Sequence, residues 1–151
     1  MANHFIRTGA LGLDDGSDWT NAWPDFASVT WTRGDTYYVA DGVYAETVTL
    51  TKAVAGASYI YILKATATAH VTEDGWNAGY GDGQAETGRW SIQTGYWYIS
   101  GVGRTTETSG YGFKVTNTVS GTNAFGKLAL TGLEERELCR LVRDGDSVNG
   151  E

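Results

Sequence analysis

The sequence predicts an all-β chain: a short parallel β-helix (solenoid) preceded by an N-terminal capping segment with one short helix. Three observations carry this. The stretch 34–64 contains three β-rich runs separated by turns, which read together as one coil. The composition is rich in glycine and aromatic residues, with 21 Gly, six Trp, nine Tyr and one Pro, as expected of strands joined by many turns rather than of long helices. Similar β-rich runs then recur further along the chain.

Residues 1–33 form the entry segment. A short strand is expected at His4–Thr8, followed by the turn cluster Asp14-Asp15-Gly16-Ser17-Asp18. From Trp19 to Val29 the apolar residues Trp19, Ala22, Trp23, Phe26 and Ala27 fall on one face at helical spacing. Ser17 or Asp18 is the N-cap of that helix, and Pro24 keeps it short. Its expected role is to cover the end of the solenoid, where strand edges and apolar interior would otherwise be exposed.

Residues 34–151 supply the coils. Asp35–Ala40 and Glu46–Leu50 are β-branched or aromatic in character, and Tyr59–Leu63 is continuously apolar or aromatic, as strands covered on both faces should be. The corners fall at Asp41-Gly42 and at Val54–Ser58, where glycine allows a positive φ. A polar, glycine-rich lateral loop is expected over 65–88. Further strands are expected at Arg89–Gln93, Tyr96–Gly101, Gly112–Thr116 and Lys127–Thr131. Gly132–Asp144 reads either as a strand over Leu138–Val142 or as a helix with Thr131 and Glu134 as a capping box. About three coils are few for a solenoid, because each coil buries its faces against its neighbours. The expected partners are therefore other copies of the chain, a larger assembly, or further coils of a longer chain.

The formal net charge of −7, with 11 scattered basic residues, argues against a nucleic-acid partner. Cys139 is alone and forms no internal disulfide. Met1–Arg7 lacks the apolar core of a secretory leader, and no run reaches transmembrane length.

The segment from about Phe5 to Val102 resembles the N-terminal coils of right-handed parallel β-helix proteins of the pectin-lyase-like superfamily. The matching pieces are TGALGLDDGSDWTNAW, RGDTYYVADGVYAE, YIYILKAT, the HVTEDGW and YGDGQA loop, and YWYISGV. The resemblance implies right-handed coils, as the general rule for parallel crossovers also does. For function it implies a range, from polysaccharide lyases and hydrolases to surface adhesins and phage tailspikes.

The residues offer several sites. Trp76 and Tyr80 on the loop, with Tyr96 and Trp97 on a nearby strand, are expected to form a platform for sugar rings, with Asp82 and Gln84 bonding hydroxyls. The competing reading, favoured because large aromatic residues are mostly buried, has Trp76 packing the loop onto the solenoid and Trp90 or Trp97 inside it. Asp14, Asp15 and Asp18 gather hard oxygen donors suited to Ca²⁺, the one cofactor considered, although their spacing is not that of an EF-hand. A lyase would draw its base from Arg89, Arg104 or Lys114 and its acids from Asp35, Asp41 and Glu46. A hydrolase would draw a carboxylate pair from Glu73, Asp74, Asp82 and Glu86. Neither set forms a recognisable constellation, and His70 reads as a structural loop histidine. The favoured expectation is a non-catalytic structural or glycan-contacting β-helix module of a virion or cell-surface assembly. The alternative is the N-terminal portion of a carbohydrate-active enzyme.

Overall fold

In the computed structural model the described residues are 1–101 and 112–116. The strand and helix readings over 127–144, together with Arg104 and Cys139, lie outside them. The described chain is all-β, and every ladder between named strands is parallel. Its strands are β1 (Asn3–Ile6), β2 (Thr36–Val39), β3 (Gly42–Tyr44), β4 (Val48–Leu50), β5 (Ile60–Lys64), β6 (Ala85–Thr87), β7 (Trp90–Ile92), β8 (Trp97–Ser100) and β9 (Phe113–Val115). They form three sheets, ordered β1-β2-β5-β8, β3-β6-β9 and β4-β7. The chain visits the sheets in one repeating order, since β2, β3 and β4 are followed in the same sheets by β5, β6 and β7, and then by β8 and β9.

Alternation along the strands explains the main core. On β5, Ile60, Ile62 and Lys64 are buried while Tyr61 and Leu63 are less so. The register stacks Tyr37, Ile62 and Ile99 in one inward row, and Ile60 and Trp97 in another. Tyr44, Val48, Leu50, Trp90 and Ile92 from the other sheets meet these rows in one apolar cluster. Parallel strands place like positions directly over one another, so an apolar residue in one strand is covered by its counterpart in the next.

Two sequence expectations need correction. Trp19–Val29 is not a helix, although Trp19, Ala22, Trp23, Phe26 and Val29 are all buried. Asp18 Oδ1 accepts from Thr20 N and Asn21 N at 2.8 Å each, as an N-cap would. But Trp19 O, which a helix would offer to Trp23 N, accepts from Arg7 Nε at 2.9 Å, and Asp25 Oδ1 accepts from Ser28 N at 2.7 Å. Trp23 is instead held as a strand-like bridge beside Ile6, its N donating to Phe5 O at 3.0 Å and its O accepting from Arg7 N at 2.9 Å. The only helical element among the described residues is a 3₁₀ turn at Ala78–Tyr80. The lateral loop is also shorter than expected, because Ala85–Thr87 is β6, paired with both β3 and β9.

The corner at Asp41-Gly42 is confirmed, with Gly42 at φ +140° and a would-be Cβ running into the Thr8 side chain. Lys64 Nζ lies against Asp41 Oδ1 as an ion pair and donates to Ala65 O at 2.6 Å, while Gly83 N donates to Asp41 Oδ2. Burial pushes the Lys64 ammonium below its ordinary pKa, against the pull of Asp41 and Asp82. The pair ties the end of β5 to the corner that launches β3.

Candidate functional site

The outward face of the four-stranded sheet has two differently treated ends. Phe5 and Tyr38 are register partners on this face, with ring centroids 6.2 Å apart. They lie under a second apolar cluster built from Ala10, Trp19, Ala22, Ala40 and Ala65, with Trp76 and Tyr80 packed against it. Trp19 is the centre of that cover: fully buried, it stands 4.8 Å from Phe5 and 4.9 Å from Trp76. Its Nε1 donates to His70 O at 3.0 Å and its N to Asp74 O at 3.1 Å, so the 66–80 segment is fastened to the entry segment.

Towards the starts of the strands the same face carries four tyrosines. Tyr61 and Tyr98 are register partners with centroids 5.6 Å apart, Tyr59 and Tyr61 are 6.1 Å apart, and Tyr59 meets Tyr96 edge-on at 5.3 Å. Tyr98 is exposed and the other three are half-buried. They come from Tyr59-Ile60-Tyr61 and Tyr96-Trp97-Tyr98, where the middle residue is buried, and strand alternation sets Tyr61 and Tyr98 on the face opposite it. Neighbouring rings restrict one another, so the strip loses less rotamer freedom on contact than isolated side chains would.

Arg33 fixes the backbone beneath this strip. It donates from Nη1 to Tyr96 O at 2.7 Å and from Nε to Ala53 O at 3.1 Å, and bonds Lys52 O through Nη2. Its guanidinium lies 5.0 Å from the Trp97 ring centroid. Tyr96 sits at φ +62°, uncommon for an aromatic residue, and its carbonyl also accepts from Ile60 N at 3.0 Å. Such a conformation persists where its surroundings hold it.

The platform expected from the sequence is therefore divided. Trp76 and Tyr80 come together, 5.8 Å apart and edge-on, but they pack against the second cluster with Tyr80 under the Arg7 guanidinium at 4.9 Å. Trp97 is an inward core residue, edge-on to Trp31 at 5.4 Å. Tyr96 belongs to the four-tyrosine strip. Asp82 is exposed on the loop, and Gln84 uses its carbonyl to accept Gly42 N at 3.0 Å. Tyr59, Tyr61 and Tyr98 were missed as site residues, although the repeated aromatic alternation Tyr-x-Tyr was a signal for them.

The acidic residues are committed locally. Asp18 caps the turn described above and also accepts from Asn21 Nδ2 at 2.8 Å. Asp15 accepts from Ser17 N at 2.9 Å, and hydrogen bonds from the Ser17 side chain and amide hold its carboxyl below the usual range. Asp14 is exposed at φ +57°. No cluster of three or more metal-ligating side chains occurs among the described residues. Asp35 accepts from Ala2 N at 2.7 Å and faces His4 Nε2 at 3.2 Å, Glu46 accepts from Phe26 N at 2.9 Å, and Glu86 pairs with Lys114 at 3.2 Å.

The chain matches no family model, no curated protein and no solved structure. No helix among the described residues is long and apolar enough to cross a membrane.

Proposed function

We propose that this chain is a structural, glycan-contacting parallel β-helix module of a virion or cell-surface assembly, and that the strip Tyr59, Tyr61, Tyr96 and Tyr98 makes the contact. The repeating visit to three parallel sheets supports the coil reading. The observation that carries the contact is the strip of four touching tyrosine rings on, and just before, two neighbouring strands, with Tyr98 exposed and Tyr59, Tyr61 and Tyr96 half-buried. A sugar presents apolar C–H faces between hydroxyls. Tyrosine matches both, with a ring for the face and a phenol that donates or accepts.

The test is affinity electrophoresis through gels loaded with a panel of neutral and acidic polysaccharides, comparing the native chain with Tyr61→Ala/Tyr98→Ala. Retardation of the native chain by at least one polysaccharide, lost in the variant with an unchanged far-ultraviolet spectrum, supports the reading. Equal mobility of the two proteins in every gel overturns it.

A further inference from the structure

The 66–80 segment is held by a histidine in an arrangement that only its charged form satisfies. His70 Nδ1 faces Thr66 O at 3.2 Å, and Nε2 faces Glu73 Oε1 at 2.8 Å. Both neighbours are acceptors. A neutral imidazole has one N–H and must turn a lone pair towards one of them, whereas imidazolium donates to both. The ring also lies flat on Trp76, with centroids 4.1 Å apart and planes 5° from parallel. A charged ring in that position gains from the indole face as well.

The next residue gives the segment a reason to open. Thr72 N donates to His70 O at 2.8 Å across Val71, whose φ is +70°. This is the rare, strained form of the γ-turn, occupied here by a β-branched residue. Strain of this kind is retained only where the surroundings over-determine it. The surroundings are the His70 contacts and the Trp19 Nε1 bond to His70 O.

We infer that His70 is a protonation-dependent latch: charged, it closes the 66–80 segment over the second apolar cluster, and on losing its proton it lets the segment loosen. The charged groups near it are few. Glu73 is its partner and Asp74 follows on the same segment. From the elements packed alongside come Tyr80 and Arg7, whose guanidinium is engaged with Trp19 O at 2.9 Å and with the Tyr80 ring. The hydrogen bond that His70 donates to Glu73 leads in raising the His70 pKa above its ordinary value, against desolvation, with Thr66 O adding to it. A raised folded-state pKa means that the latch is complete below the ordinary imidazole value and is lost as pH rises through the folded one.

Proton NMR titration of the full chain tests this, with His70→Gln assigning the His70 signal. His70 is expected to titrate above the ordinary value of 6.5. Glu73→Gln, a change at an exposed side chain, is expected to lower its midpoint, because the leading cause of the rise is then weakened. The amide signals of Thr72 and Trp76 are expected to move with the His70 midpoint in the native chain and to stay still over that interval in His70→Gln. A His70 midpoint at or below the ordinary value, or amide shifts that persist in His70→Gln, would overturn the latch.

Discussion

The two ends of the outer sheet face use aromatic residues in opposite ways. At one, Phe5 and Tyr38 are roofed by Trp19, Trp76 and Tyr80; at the other, Tyr59, Tyr61, Tyr96 and Tyr98 pack on one another in a strip whose Tyr98 is exposed and whose other rings are half-buried. The roofed rings have become a second core outside the sheet. No ring of the strip is fully buried, and Tyr98 is 37% exposed where Trp19 is 0%. The difference teaches that aromatic loading alone does not mark a contact site: what decides is whether another segment of the chain has taken the surface.

Substitutions can break this contrast, and their expected effects decline in order. Trp19→Ala removes the centre of the roof and should cost about 3–5 kcal/mol in denaturant unfolding. Asp41→Ala strands the buried Lys64 ammonium at the corner beside the roof and should cost on the order of 3 kcal/mol. Adding Lys64→Met should recover most of that loss, because the unpaired charge is then gone. Arg33→Ala frees the carbonyls beneath the strip and should cost roughly 1–3 kcal/mol. It should also weaken any glycan contact, since Tyr96 is no longer held. Tyr61→Ala and Tyr98→Ala should each change stability by no more than about 0.5–1 kcal/mol. If either costs as much as Trp19→Ala, the bare end is structural and the contrast fails.

The sequence made several strands legible because their residues and flanks were good strand formers with an unambiguous pattern. Tyr59–Leu63 and Tyr96–Gly101 correspond to β5 and β8, and Gly112–Thr116 to β9. β3 and β6 were not legible. Each has three residues, Gly-Val-Tyr and Ala-Glu-Thr, and neither has the propensity to declare itself. Their conformation comes from pairing with each other and, for β6, with β9. The helical spacing over Trp19–Phe26 misled for a related reason. It reported which residues are buried, but not that Arg7 would take the Trp19 carbonyl and that Ile6 would draw Trp23 into a bridge.

Of the four-tyrosine strip, the sequence reading holds Tyr96 alone, grouped with aromatic residues that the fold places elsewhere. Trp76 and Tyr80 pack instead against a segment more than fifty residues earlier, a contact that no local pattern announces. Trp97 turns inward because it occupies the buried register position beside Ile60. One residue of alternation separates a core position from a surface one.

Amide chemical-shift mapping during titration with a retarding polysaccharide sets the two aromatic regions against each other within one protein. The account predicts that the largest changes fall on Tyr59, Tyr61, Tyr96 and Tyr98 and their strand neighbours, with Trp76 and Tyr80 unmoved. Changes centred on Trp76 and Tyr80, or no change with any polysaccharide, would contradict it.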